Sequence, residues 1–351
     1  MTSRERVLTT FAHEEPDRVP RWCGASPEFI AKAKRHLGIT DTEQLFVRFG
    51  DDFRRVYARY AGPKEFSPDG ALSAGATYRT PFGVEREGFG YGMPTGHPLA
   101  DATLKQIHDF SWPDPKWMDV SEIRIEALAW NRQYAILGGD WSPFWHDAID
   151  LLGMENLLCK MKDEPELVDA LLAHLVEYYA GVSRRIFDAA AEVIDILFIG
   201  NDFGSQTGPL IGEATFRRFI SPHLQRLARL GHDYGLRVML HCCGSFMPLM
   251  PAMIEAGIDG LQALQPSARM APAQLKAAFG DRLVFNGCID SHHVLIDGTP
   301  DLVRTRTRET MDIMKPGGGY VVSASHDYIL EETPVENVLA MFDTAGEFGV
   351  Y

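Results

Sequence analysis

Val238-Met239-Leu240-His241-Cys242-Cys243-Gly244 runs from three apolar residues straight into an imidazole and two thiols. A short, near-continuous apolar run of this kind has the character of a strand buried on both faces, as in a parallel sheet. The pattern repeats on either side. Upstream lie Ala135-Ile136-Leu137-Gly138-Gly139 and Ile194-Asp195-Ile196-Leu197-Phe198-Ile199; downstream lie Gly260-Leu261-Gln262-Ala263-Leu264, Leu283-Val284-Phe285 and Tyr320-Val321-Val322. Helical stretches separate them, including the one carrying Leu167, Leu171, Leu175, Tyr178, Val182 and Ile186, then Glu213 to Tyr234, Pro272 to Phe279 and Pro300 to Met314. Strands alternating with helices define an α/β chain with a parallel sheet.

That sheet is either an open doubly wound sheet or a closed (β/α)8 TIM-type barrel. The glycine run Gly88-Phe89-Gly90-Tyr91-Gly92 follows no strand and leads into Met93-Pro94, so the dinucleotide fingerprint of an open sheet is missing. The barrel is therefore expected, as a single domain over residues 1–351. The chain starts with a capping box, Thr2 with Glu5, and a helical face of Val7, Leu8, Phe11 and Ala12. Val19-Pro20-Arg21-Trp22 follows as a candidate strand and Glu28 to Leu37 as a helix stopped by Gly38. Residues 62–115, rich in Gly, Pro and aromatics with short pieces such as Ala76-Thr77-Tyr78-Arg79 and Gly83-Val84-Glu85-Arg86, read as an inserted hairpin and loop region over one end of the core.

Composition narrows the function classes. At 351 residues, 45% hydrophobic and 23% charged, the chain has globular-enzyme usage. Its 34 basic against 48 acidic residues give a formal charge of −14 with no basic stripe, which argues against a nucleic-acid partner. No segment approaches the roughly 20 apolar residues that span a bilayer, and Met1-Thr2-Ser3-Arg4-Glu5-Arg6 lacks a signal-peptide core. Five cysteines, Cys23, Cys159, Cys242, Cys243 and Cys288, suit a reducing compartment better than a disulfide framework, so a cytoplasmic location is expected.

In a (β/α)8 barrel the chemistry gathers at the C-terminal ends of the strands. Polar residues follow the apolar runs there: Asn201-Asp202-Phe203-Gly204-Ser205-Gln206, His241-Cys242-Cys243, Gln265, Asn286-Gly287-Cys288-Ile289-Asp290 and Ser323-Ala324-Ser325-His326-Asp327. His241 and Cys243, two apart at a strand end, point the same way, so nitrogen and sulfur can share one ion. His326 offers a third ligand from a later strand end, leaving a fourth position open in the manner of catalytic zinc. A helix beginning near Pro248 would favour a thiolate at Cys243 through its dipole. Asp202 stands between a catalytic or substrate-orienting carboxylate and a helix cap. Gln206 and Gln265 are candidates for orienting substrate or cofactor. Cys242 and Cys288 suit packing, His292 and His293 a loop, and Asp195 a buried structural acid.

Arg4-Glu5-Arg6-Val7-Leu8, Glu14-Glu15-Pro16-Asp17-Arg18-Val19-Pro20, His241-x-Cys243-Gly244, Gly317-Gly318-Gly319-Tyr320 and Thr333-Pro334-Val335-Glu336-Asn337-Val338 together resemble the uroporphyrinogen decarboxylase superfamily. More narrowly, they resemble its corrinoid-linked methyltransferase branch. The resemblance implies a (β/α)8 barrel with the active site at the strand C-termini. It also implies zinc held by His-x-Cys and a distal cysteine; His241 and Cys243 match the first two, while the distal segment offers His326 and no cysteine. The decarboxylases themselves carry an Arg-x-x-Gly-Arg-Tyr segment for tetrapyrrole carboxylates, against Arg21-Trp22-Cys23-Gly24-Ala25-Ser26 here.

The expected function is then a zinc-dependent methyltransferase moving a methyl group between a corrinoid (cobalamin) on a partner protein and a thiol or oxygen atom of a small molecule. One thiolate and two neutral imidazoles would leave zinc a stronger Lewis acid than two thiolates would. Two alternatives stand beside it: a metal-free decarboxylase of a porphyrinogen or smaller carboxylate, with a carboxylate such as Asp202 stabilising a protonated intermediate, and a non-catalytic tetrapyrrole- or corrinoid-binding barrel. A homodimer is one open assembly state.

Overall fold

The computed structural model describes residues 1–67, 77–88, 92–130 and 132–351. Its centre is a curled sheet of seven parallel strands: β1 (Phe53–Arg55), β2 (Ala135–Gly138), β3 (Ile196–Gly200), β4 (Arg237–His241), β5 (Gly260–Leu264), β6 (Val284–Ile289) and β7 (Tyr320–Ala324). They pair in chain order, each parallel to the next. Seven strands do not by themselves close a ring; the eighth stave is the extended segment around Val19–Trp22. Trp22 N–H donates to Val322 O at 3.0 Å and Val322 N–H to Pro20 O at 2.9 Å, while Asp52 N–H donates to Arg21 O at 2.9 Å. The segment thus bridges β7 and the start of β1, and the sheet shuts into a (β/α)8-type barrel with helices outside, as the alternating pattern predicts.

Strand periodicity sorts the barrel interior into layers. Trp22, Phe53, Ala135, Leu137, Ile196, Phe198, Met239, Val284 and Val321 form one buried apolar cluster in the lumen. Val7 and Phe11 of the capped N-terminal helix Ser3–Phe11 join it from below and plug the floor. Around that floor Arg4 pairs with Asp195 at 2.8 Å, and Asp52 takes Arg6 at 2.7 Å and Arg18 at 2.9 Å. Asp195, which stands just before β3, also accepts Ile136 N–H at 2.9 Å, so this acid is structural. A second, larger cluster packs the helices, including the long helix Pro165–Ala190, against the outer face.

Two residues beyond the lumen-facing apolar layer the character changes. Phe53 is followed by Arg55, Met239 by His241, Gly260 by Gln262, Val284 by Asn286 and Val321 by Ser323. With a period of two, these side chains line the same lumen one step nearer the C-terminal mouth. The region of residues 62–115 holds the three-stranded antiparallel sheet Thr77–Arg79, Glu85–Glu87 and Met93–Pro94, as a hairpin reading requires. Ala76 and Phe89-Gly90-Tyr91 lie outside the described residues. Among the described residues no helix is long and apolar enough to cross a membrane.

Candidate metal centre at the barrel mouth

His241 closes β4, and the chain then turns through Cys242, Cys243 and Gly244. This turn is possible because two glycines meet: a Cβ on Gly204 would lie 2.6 Å from Cys243 O, and one on Gly244, at φ +81°, would lie 2.6 Å from the Gly204 backbone. Ser245 N–H donates to Ser205 O at 2.7 Å, so the loops after β3 and β4 are laced together. The lacing brings Asp202, from the β3 loop, beside the β4 end.

Three ligand atoms converge there. His241 Nε2 lies 3.3 Å from Cys243 Sγ and 3.4 Å from an Asp202 oxygen, and all three groups fall within 4.8 Å of one another. Asp202 Oδ1 also accepts Cys243 N–H at 2.6 Å. One nitrogen, one sulfur and one carboxylate oxygen form a donor set that suits zinc.

The ring orientation of His241 follows from its neighbour on β5. Gln262 is almost wholly buried; its Nε2 donates to His326 O at 3.3 Å, so its Oε1 faces His241 Nδ1. An amide oxygen can only accept, which puts the proton on Nδ1 and leaves Nε2 aimed at Cys243 and Asp202. Burial opposes charge on the imidazole, but Cys243 and Asp202 beside Nε2 outweigh it and push its pKa well above the usual histidine value. Burial likewise raises the Asp202 carboxyl, yet hydrogen bonds from His146 and His241 and their charges hold it well below the ordinary range. The pocket therefore favours positive charge among its acceptors, supplied by a proton or by a metal ion.

Asp202 is a member of the cluster and caps no helix. His326 is not in it. β7 ends at Ala324, and the chain leaves the strand line before His326. Its Nδ1 lies 3.0 Å from Tyr328 O, and its carbonyl accepts from Gln262 Nε2. Asp202, and not His326, is the third member of this cluster. Gln265 accepts Gly244 N–H and so holds the Cys243–Gly244 turn. Gln206 is exposed within the Ser205–Gly208 turn, which Ser205 closes by hydrogen bonds to Gly208 O. The helix expected near Pro248 is a single 3₁₀ turn, Met247–Leu249, followed by Met250–Glu255, too short to carry the dipole argument. Cys242 is buried and its thiol is pushed far up by burial, as for a packing residue, and Cys288 is the same. His292 and His293 lie exposed with Asp297 on a π-helical turn after β6.

Three contributors were missed in the sequence. His146, on the first turn of the helix Phe144–Leu152, places Nε2 3.3 Å from Asp202. Trp141 lays its ring 5.3 Å from that of His241. It fits only because position 200 is glycine, where a Cβ would fall 2.0 Å from the indole. Both follow the apolar run Ala135–Gly139, and scanning past that run as past the others would have found them. Gln262 hid inside an apolar strand, where a lone polar residue facing the lumen was itself the signal.

The fold and this mouth define a (β/α)8 enzyme-type barrel with a nitrogen, sulfur and oxygen cluster at the strand C-termini. Residues 103–348, more than two thirds of the chain, match the uroporphyrinogen decarboxylase (URO-D) family, and the chain belongs to that family. A solved structure of a methyltransferase from Methanosarcina mazei is similar over 99% of this chain and 99% of its own, with a TM-score of 0.65 and 20% identity, which establishes the shared fold. A 3-keto-D-glucoside 4-epimerase, YcjR, from E. coli in its apo form overlaps 70% of this chain and 93% of its own at 15% identity; its TM-score of 0.35 carries no argument. None of the curated proteins matches the chain.

Proposed function

We propose that this URO-D family member is a methyltransferase. In this reading zinc is held by His241 and Cys243 with Asp202 in reach. The methyl group passes between a corrinoid presented by a partner protein and a thiol or oxygen atom bound at the barrel mouth. The observation that carries it is the convergence of His241 Nε2, Cys243 Sγ and Asp202, with Gln262 fixing the opposite imidazole nitrogen. The likeness in fold to a methyltransferase supports the same reading.

Bound zinc would supply Lewis-acid activation, lowering the pKa of a thiol or hydroxyl so that it reacts, or leaves, as the anion. The chain's own residues set the geometry. Gln262 keeps the His241 lone pair on the ligand side, the Asp202 carboxylate stays ionised, and Trp141 shields one face of the imidazole. His146 Nε2, partly exposed beside Asp202, is the group placed to pass a proton from the site to solvent. Tetrapyrrole decarboxylation is less favoured. Arg21, the arginine at the family's carboxylate-binding segment, points away from the lumen, its guanidinium lying against Phe49 O, Gly50 and Gly346.

Metal analysis of purified protein tests the proposal. About one zinc per chain is expected, lost in His241→Ala and Cys243→Ser, together with loss of methyl exchange with methylcobalamin and a thiol panel. Zinc near zero in the parent protein, or full zinc in both variants, would overturn it. Tight corrinoid binding with no turnover of any methyl donor would favour a carrier instead.

A further inference from the structure

Two adjacent arginines end β1, and alternation sends them to opposite faces. Arg54 faces outward and is saturated: it pairs with Glu43 at 2.5 Å and Asp51 at 3.8 Å, and lies 3.8 Å over the Tyr134 ring. Arg55 faces the lumen in the layer of His241 and Gln262. Its Nε is buried without a hydrogen-bond partner, and no carboxylate lies within 4.0 Å of its guanidinium among the described residues. It rests instead among three rings, 4.6 Å from Tyr57, 5.0 Å from Trp141 and 4.9 Å from Phe198. Ring faces attract the charge but accept none of the N–H donors in the plane of the fork. Asp140 is the acid that feels Arg55, yet its Oδ1 is held by Ser142 N–H at 2.9 Å.

A half-buried guanidinium with open donors is costly to keep in a chain of net charge −14 that has acids to spare. The Trp141 ring lies against both this guanidinium and the His241 ring. We propose that Arg55 sets the substrate class of the barrel mouth: a small molecule bearing a carboxylate or similar oxyanion on a flat apolar body. The anion docks on the guanidinium fork and the body lies along Trp141 and Tyr57. A quaternary ammonium substrate, which aromatic walls alone would suit, is repelled by the same charge. The inference rests on the proposed function only in taking this mouth as the substrate site, and it stands on residues that are not metal ligands.

The test is calorimetric titration of the chelator-treated protein with benzoate, neutral benzamide and benzyltrimethylammonium, repeated after zinc loading. Benzoate is expected to bind at least tenfold tighter than benzamide, with benzyltrimethylammonium weakest. Arg55→Met should bring the benzoate to benzamide ratio near one, while Arg55→Lys retains part of it. In the parent protein, benzoate but not benzamide should slow phenylglyoxal modification of Arg55, read by peptide mass, which needs no variant to fold. Benzoate binding no tighter than benzamide, including no binding of either, overturns the inference, as does an unchanged ratio in Arg55→Met. Absence of zinc or of methyl exchange would sink the proposed function while leaving this ratio intact.

Discussion

His241 is held from both sides, and each side makes a prediction. Gln262 fixes the protonated nitrogen, and replacing such an outer partner of a metal-binding imidazole weakens binding by about 10–100-fold. Gln262→Leu is therefore expected to lower zinc affinity by that factor, measured by competition with a chromophoric chelator, without abolishing the fold. On the other side, the imidazole keeps its proton to higher pH than free histidine, and zinc must displace it. Zinc affinity should thus climb as pH rises and fall as pH drops, with proton release on binding seen by calorimetry in buffers of different ionisation heat. A flat affinity profile from pH 5 to 8 would contradict the raised pKa of the imidazole. At this scale the sequence exposed His241 and Cys243 because a strand end and a two-residue spacing suffice to aim them. Asp202, which joins His241 and Cys243 in place of His326, was harder to read, because a residue two past the end of a strand has no periodicity to aim it.

At the scale of elements, the barrel strands were legible as apolar runs, since burial on both faces writes itself into composition. The layer change was less so. Gln262 and Arg55 sit where an apolar residue would prolong the core, and their meaning appears only when strands align in register around the lumen. Gly200 shows the same limit: as the last residue of β3 it looks like strand punctuation, yet it makes room for Trp141. Gly200→Ala should push the indole off His241, costing about 1–3 kcal/mol as overpacking does. Chemical denaturation would give the loss, and near-ultraviolet circular dichroism would report the displaced tryptophan. An unchanged aromatic spectrum would mean the ring is not seated there.

For the whole molecule, a ligand that binds only the folded barrel adds its binding energy to stability. At a free zinc concentration about 100 times Kd the gain is about 2.7 kcal/mol. The melting temperature should therefore rise by several degrees with zinc in the parent protein and not in Cys243→Ser, by scanning calorimetry. The closed ring was partly legible: the alternating pattern implied it, and Val19-Pro20-Arg21-Trp22 was read as a strand. What could not be read was its place between first and last staves, because pairing across the length of a chain leaves no local trace.

That eighth stave has a kinetic side. Trp22 and Val322 are hydrogen-bonded across three hundred residues. On the ribosome, Val19–Trp22 emerges early and must wait for β7 before its edge is covered. Until then the chain holds an open sheet margin, the kind of surface that invites aggregation and slows the final step.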